Sequence, residues 1–496
     1  MKEIPLYLRC FIIVMSKLKA LAGETALYGL GSILPRMLNF FLLTPHTNIF
    51  SLAEYGAVTK LYAFVAFVNI VFMFGMETAF FRFANKPNAN IKRIFNLAQT
   101  CVVLISIPLS LLFIVFSSSI ATYMGVPSHP EFITWLSLVM LTDALVAIPF
   151  ARLRLEKKAF QFASAKIINV LILLGLNLYF LKVSYDPSIN IGYVFLANLI
   201  ANAFFILYFL KTLVAWRPAF DNKISPEMLY YAYPVMLTGV AGMTNEMFSR
   251  LSLDWWLPTD FYKPISNQAA VGVFGACYKF AVLMNLGIQA FRYAAEPFFF
   301  SQAADKNSPV LFARVNHYFV IVGCIVFLGI SINLDVFQLL IGTDFRSGIS
   351  IVPILLMAYL LLGMYYNFSV WFKLTDKTHY GTLITVGGAA LTIGANFLLI
   401  PIIGYTGSSW AALLCYAFMA GCCYFLGQRH FPIPYRMGTS FIYLTCTVVI
   451  TYAVLAVTLP NQWIASIFHG FVIICFVGTI YLFERRGLKS AIVDQR

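Results

Sequence analysis

Five basic residues stand where charge is unusual, within or at the edges of long apolar stretches. Arg36, Lys279 and Arg292 lie inside such stretches, whereas Lys60 and Arg250 lie near the ends of theirs. A charge inside a membrane usually faces a cavity or an oppositely charged partner. Cations at this depth would bind an anionic substrate. The alternative is that they snorkel to the interface or pair with neighbouring helices.

Two of these cations have acidic residues close by in the sequence. Arg250 precedes Asp254 and Asp260, which indicates a residue at the rim of a cavity or at an outer gate. Arg292 lies four residues before Glu296. An ion pair between these two residues within one helix is therefore the simpler interpretation of Arg292.

Four acidic residues lie within apolar stretches. Asp143 and Glu246 are the candidates for coupling to a proton or a sodium ion, and the alternative is that each pairs with a basic neighbour. Glu77 and Glu296 lie close to basic loops, which favours structural ion pairs or gate latches over ion sites.

Composition narrows the class of protein that carries these residues. Of 496 residues, 60% are hydrophobic and 11% are charged, with a mean hydropathy of +0.82. Soluble proteins carry roughly 25% charged residues, so the composition disfavours a soluble enzyme, a nucleic-acid-binding protein and a disordered chain. Neither the nine cysteines nor the six histidines have the spacing of metal ligands, and we expect no metal and no cofactor.

The elements that must position the charges are membrane-spanning helices, each of which needs about 20 apolar residues. Apolar runs bounded by charges, Gly or Pro predict fourteen of them. The predicted spans are residues 27–46, 55–82, 95–118, 132–151, 163–182, 190–211, 228–251, 270–300, 312–333, 348–372, 380–400, 404–427, 439–459 and 463–483.

The distribution of basic residues predicts the orientation of these spans. With a cytoplasmic N-terminus, and with residues near the ends of spans counted with the adjacent loop, 26 of the 34 Lys and Arg residues fall on the cytoplasmic side, five on the other side and three deeper within spans. This bias follows the positive-inside rule and places both termini in the cytoplasm. Translation could start at Met1 or at Met15, a choice that the residues leave open.

An internal repeat divides the chain. A shift of 219 residues places Lys60 on Lys279 and Glu77 on Glu296, with further matches over about 120 residues. The repeat covers six spans, so the halves share one orientation and are related by an axis along the membrane normal. We expect an all-α membrane protein with an N-terminal tail (1–26), two six-helix lobes (27–215 and 216–430) and a final part (431–496) containing two more spans.

Several stretches resemble the polysaccharide-biosynthesis flippases that transport O-antigen and capsule repeat units. They belong to the multidrug/oligosaccharidyl-lipid/polysaccharide exporter superfamily. The resemblance rests on the order and spacing of YGLGSILPRMLNFFLL, AEYGAVTKLYAF, FGMETAFFRFA, LRLEKKAFQFASAKI, YAYPVMLTGVAG, GVFGACYKFAVLMNLGIQAFRYAAEPFFF and DKTHYGTLITVGGAALTIGANFLLIPIIGYTGSSWAAL.

The resemblance implies a V-shaped central cavity and alternating access. It also implies a substrate, undecaprenyl-diphosphate-linked oligosaccharide, moved from the cytoplasmic to the periplasmic leaflet of the bacterial inner membrane. Expected partners are this substrate, membrane lipids, a coupling H⁺ or Na⁺, and a polymerase or glycosyltransferase complex. Arg36, Lys60, Lys279 and Arg292 match the need of a diphosphate for cations.

Three alternatives remain open. An ion-coupled multidrug or metabolite antiporter of the same superfamily would depend on Asp143 or Glu246. Against it, Arg36 is the only charge in the first span, where drug exporters often carry an acid. A lipid II flippase is less favoured, because the stretches quoted above look more like the polysaccharide branch. A membrane glycosyl- or acyltransferase would need a long loop with a catalytic motif, and no loop here is long enough.

Overall fold

The computed structural model describes residues 28–303, 305, 307–457 and 461–493. Within these ranges the chain is helical and contains no β-strand. The predicted tail over residues 1–26, with the alternative start at Met15, lies outside the described residues.

Each of the fourteen predicted spans coincides with a helix of the structure. Eleven of these helices are long and apolar enough by themselves to cross a membrane. In chain order the helices are α1 (28–40, continued after a two-residue turn by Leu43–Ile49), α2 (Leu52–Ala84), α3 (Ile91–Val115), α4 (Pro130–Leu155), α5 (Ala159–Lys182), α6 (Gly192–Tyr208), α7 (Ile224–Trp256), α8 (Asn267–Gln302), α9 (Ser308–Ser331), α10 (Thr343–Leu374), α11 (His379–Ile403), α12 (Tyr405–His430), α13 (Met437–Leu455) and α14 (Trp463–Arg485).

The expected fold class, an all-α polytopic membrane protein, is therefore confirmed. We call the side that carries the turn between α2 and α3 the basic face, because Lys86, Lys92 and Arg93 cluster there. The side that carries the turn between α7 and α8 is the opposite face.

Helix α2 is interrupted about two-thirds of the way along, between Met73 and Met76. Phe74 and Gly75 both adopt left-handed backbone conformations, with φ angles of 48° and 68°. A Cβ atom on Gly75 would lie 2.7 Å from the carbonyl oxygen of Ala232 in α7. Glycine therefore serves two purposes here, because it accepts the positive φ and lets α7 approach.

Equivalent helices have equivalent neighbours in the two halves, as the repeat predicts. Helix α4 packs on α3 and α6, and α5 packs on α6. In the second half α10 packs on α9 and α12, and α11 packs on α12. Helices α13 and α14 have no counterpart in the repeat and pack on α9.

The last two helices are also fixed to α9 by a partly buried polar contact. His317 Nε2 lies 2.9 Å from Glu484 Oε1, and the Tyr443 hydroxyl donates to the same carboxylate at 2.7 Å. One carboxylate thus joins α9, α13 and α14.

The two halves meet most closely between α2 and α8 near the opposite face. A Cβ atom on Gly56 would lie 1.9 Å from the backbone oxygen of Gln268, and one on Gly272 would lie 2.0 Å from that of Leu52. These glycines let the two backbones touch. Towards the basic face, the Met76–Ala84 segment of α2 packs on α7 instead.

Candidate functional site

Arg36 lies in the basic-face half of α1, directly after Pro35. Its side chain is exposed, and in the part of the chain that the structure describes no carboxylate pairs with it. Its guanidinium is therefore available to an anion.

Lys279 lies within α8 and is half-buried. Among the described residues no acidic side chain lies within ion-pair distance of its ammonium. The charge of Arg250 in α7 acts on Lys279, and the charge of Lys279 acts in turn on His46 in α1. His46 is itself fixed by a 3.0 Å hydrogen bond between its Nε2 and Asn177 Oδ1. Lys279 therefore lies where α1, α7 and α8 converge, in a positive field.

Among the described residues, Arg250 contacts an aromatic ring and no acid lies within ion-pair distance of it. Its guanidinium carbon lies 4.2 Å from the ring centroid of Tyr278 in α8, which is a cation–π contact. Asp254 and Asp260, its acidic neighbours in the sequence, pair instead with Lys60 and Lys263. Arg250 thus joins Lys279 in the same positive region.

Lys60 is not free in this conformation. It is 2% exposed, and its Nζ lies 2.5 Å from Asp254 Oδ2. Lys60 belongs to α2 and Asp254 to α7, so this buried ion pair joins the two halves of the protein. It lies near the opposite face, at the level where α2 and α8 touch.

Arg292 lies closer to the basic face than Lys279, along the same helix. Its Nε is 3.6 Å from Glu296 Oε1, and its guanidinium carbon lies 4.9 Å from the ring centroid of Tyr366. Glu296 is closer to Lys373 of α10, at 2.6 Å. Because Lys373 is the nearer cation, part of the positive charge on Arg292 remains uncompensated.

Glu77 and Glu296 form equivalent ion pairs. Glu77 of α2 contacts Arg154 of α4, as Glu296 of α8 contacts Lys373 of α10. The 219-residue shift places Glu77 on Glu296 and Arg154 on Lys373. Both members of the ion pair are therefore repeated. Each pair lies within one half of the protein.

Asp143 lines a cavity of about 280 Å³ inside the first half, together with Glu77, Arg154 and Lys166. Asp143 Oδ1 accepts a 3.0 Å hydrogen bond from Asn202. Lys166 lies over the ring of Phe150, 4.3 Å from its centroid, and its charge acts on Asp143. Two acids and two bases thus share one cavity within the membrane.

Lys166 is a site residue that the sequence did not single out. It lies seven residues into α5, close enough to the preceding basic loop to be counted with that loop. The 219-residue shift places Asp143 on Leu362 and Lys166 on Thr385. Two opposite charges in the first half thus correspond to uncharged residues in the second, and this departure from the repeat is the signal that would have indicated Lys166. This charge pair exists only in the first half.

Glu246 is half-buried in α7, among tyrosines. Its charge acts on Tyr278, Tyr359 and Tyr416, of which the first two have their hydroxyls hydrogen-bonded to each other. No base pairs with Glu246 within the described ranges. It lies in the second half, apart from Asp143.

Metal binding finds no support in the described residues. Across residues 28–303, 305, 307–457 and 461–493, no three His, Cys, Asp or Glu side chains are grouped so that they could hold a metal ion.

Residues 47–257 match the sequence profile of a family described as "Polysaccharide biosynthesis protein". The match runs from the end of α1 to the end of α7 and confirms the family resemblance drawn from the sequence. No curated protein shows a significant sequence match to the chain.

Solved structures of transporters share the fold. The lipid II flippase MurJ in an inward closed conformation superposes with a TM-score of 0.73 at 14% identity, over 92% of this chain and 98% of that chain. An inward-facing multidrug resistance MATE family transporter of the MOP superfamily gives 0.65 at 13% identity, over 80% and 97%. The Vibrio cholerae MATE transporter VcmN gives 0.60 at 14% identity, over 83% and 97%. At these identities the likeness shows the fold alone.

Proposed function

We propose that this membrane protein is a flippase for undecaprenyl-diphosphate-linked oligosaccharides. It moves them from the cytoplasmic to the periplasmic leaflet of the bacterial inner membrane for O-antigen or capsule synthesis. The observation that carries the proposal is the pair Arg36 and Lys279, two membrane-depth cations without an acidic partner among the described residues. A cation at membrane depth without an acidic partner is unfavourable, so its presence there favours an anionic ligand.

The diphosphate is the part of the substrate that these cations recognise. Guanidinium and ammonium groups form charge-assisted hydrogen bonds with phosphate oxygens, which are about twice as strong as neutral ones. Arg250 and Arg292 extend the positive charge along α7 and α8. A cationic drug would be repelled by this region, which is why we prefer the flippase to the antiporter.

The contacts between the halves support alternating access. In this conformation the Lys60–Asp254 pair and the Gly56–Gly272 approach join the two halves near the opposite face, which we interpret as closure towards that side. Opening towards that face requires the lobes at 27–215 and 216–430 to separate there and Lys60 to leave Asp254. Lys60 would then be free to bind the diphosphate on its way out.

Asp143 and Lys166 are the residues to which we assign ion coupling. Protonation of Asp143 or entry of a sodium ion would break its attraction to Lys166 and change how α4 and α5 pack. Glu246 is the second candidate, because within the described residues no base neutralises it.

The test is transport of a fluorescent lipid-linked oligosaccharide by the purified protein in vesicles, with a chromosomal deletion in parallel. We expect the deletion to trap undecaprenyl-linked units on the cytoplasmic face. Normal surface polysaccharide in a deletion strain without a paralogue would refute the proposal. Equal transport of lipid II would reassign the substrate, and altered resistance to cationic dyes would favour the antiporter.

Orientation and partners are tested separately. Reporter fusions at the two ends of the chain should place both termini in the cytoplasm. Co-purification with a polysaccharide polymerase or glycosyltransferase would support the expected complex.

A further inference from the structure

A second cavity opens at the basic face, where the end of α2 meets the start of α7. Its volume is about 500 Å³, and its wall includes Arg82, Lys86, Glu227, Tyr230 and Tyr231. Arg82 and Lys86 come from the first half of the protein, whereas the other three come from the second. The cavity therefore lies on the seam between the halves, well away from Lys60 and Asp254.

The cations of this cavity are only weakly compensated. The guanidinium carbon of Arg82 lies 4.2 Å from the ring centroid of Tyr231, and no carboxylate pairs with it in the described part of the chain. Lys86 Nζ lies 4.0 Å from Glu227 Oε2, at the limit of an ion pair, and its side chain is half-exposed. Two positive charges thus face one negative charge in a concave site.

Three other cations of the basic face have close acidic partners. Arg93 is paired with Asp221, while Arg152 and Lys158 share Glu156 at 2.6 and 2.7 Å. Orientation of the protein requires basic residues on this face but does not require them to line a cavity without close partners. The placement of Arg82 and Lys86 together in one cavity indicates that they bind an anion.

The remaining wall of the cavity suits a sugar attached to that anion. Tyr230 is 85% exposed, so an aromatic face is available for stacking. Thr378, at the start of α11, adds a hydroxyl group that can donate or accept hydrogen bonds.

We propose that this cavity is a docking site for a diphosphate-linked sugar, which it holds at the membrane surface before the headgroup moves on to Arg36 and Lys279. The inference rests on the proposed flippase function and names its first binding step. An anionic phospholipid headgroup offers related phosphate chemistry and is the competing source of the ligand.

The experiment uses the full-length protein in nanodiscs and a short-chain prenyl diphosphate carrying one N-acetylhexosamine as probe. We expect the double variant Arg82→Gln/Lys86→Gln to weaken binding of the probe roughly tenfold to a hundredfold, through loss of charge-assisted hydrogen bonds. Arg93→Gln, which removes a paired cation from the same face, should leave binding unchanged. Arg82→Lys should retain most of the affinity, which separates loss of charge from misfolding.

A photoreactive benzoylphenylalanine in place of Thr378 gives a second measurement. It should crosslink to the probe, and excess phosphatidylglycerol should not suppress the crosslink. Suppression by phosphatidylglycerol at matched concentration would identify a general lipid site and overturn the inference. Unchanged binding in the double variant, with transport lost in Arg36→Ala, would overturn the docking site and leave the flippase intact. Absence of transport by the unmodified protein would instead refute the proposed function.

Discussion

Lys60 Nζ lies 2.5 Å from Asp254 Oδ2, and the two residues come from different halves of the protein. The ammonium is almost fully buried, whereas the carboxylate keeps some contact with solvent. The bond lies beside the glycine contact of α2 with α8, so both features join the two halves near the opposite face.

Removing one member of this pair should open that face. We expect Lys60→Met to shift the equilibrium towards the outward-open state by about 2 kcal/mol, roughly thirtyfold in population. This is less than a fully buried pair would give, because Asp254 is partly solvated. The readout is the alkylation rate of a cysteine at Thr59 in a cysteine-free background.

The exchange Lys60→Asp/Asp254→Lys is the matched control for this prediction. It should restore slow alkylation if the charges act as a pair. Fast alkylation in the exchanged variant, or no change in Lys60→Met, would show that the pair does not close the protein.

The rate of transport should depend on Arg36 and Lys279, the two cations without an acidic partner among the described residues. Arg36→Ala and Lys279→Ala should each lower the flipping rate at limiting substrate roughly tenfold to a hundredfold, because each removes a charge-assisted bond to the diphosphate. Arg36→Lys should retain part of the activity. Lys263→Ala removes an exposed cation of the opposite face that is paired with Asp260 and should leave the rate unchanged. Full activity in Arg36→Ala would exclude this residue from the binding site.

The charges of Asp143 and Lys166, which the second half does not repeat, should control energy coupling. We expect Asp143→Asn and Lys166→Gln to abolish the response of transport to an imposed pH or sodium gradient while binding of the diphosphate probe persists. Glu131→Gln removes an acid at the start of the same helix, paired with His129, and serves as the control. A normal gradient response in both cavity variants would transfer the coupling role to Glu246.

The close approach of α2 and α8 should be intolerant of a single methyl group. Gly56→Ala places a Cβ against the backbone oxygen of Gln268, so the helices must separate, at a cost of about 1–3 kcal/mol. Gly175→Ala is the matched control, because its Cβ would meet nothing within 4 Å. Thermal unfolding in detergent should show a lower Tm for the first variant only, and equal Tm values would contradict the packing argument.

The helices were predictable because a spanning helix needs a long apolar run. Their ends were less so: the prediction for α7 was 228–251, and the helix is Ile224–Trp256. The extra residues lie where the helix leaves the apolar layer, and hydropathy carries no signal there.

Ion pairs between residues far apart in the sequence could not be predicted from the sequence. Asp254 is 194 residues from Lys60, and nothing local indicates that it prefers Lys60 to Arg250, four residues before it. Arg292 and Glu296 illustrate the same limit, because the local i,i+4 pair was foreseen but the closer partner, Lys373, was not. Only the three-dimensional packing of α8 on α10 supplies that partner.

The two equivalent ion pairs have a consequence for the ancestry of the protein. A contact found at the same place in both halves is most simply inherited from one six-helix ancestor, which would have worked as a parallel homodimer. Glu77–Arg154 and Glu296–Lys373 then predate the gene fusion. Asp143–Lys166 and Lys60–Asp254 have no counterpart at the positions that the shift relates to them, so the two halves are not interchangeable at these charges.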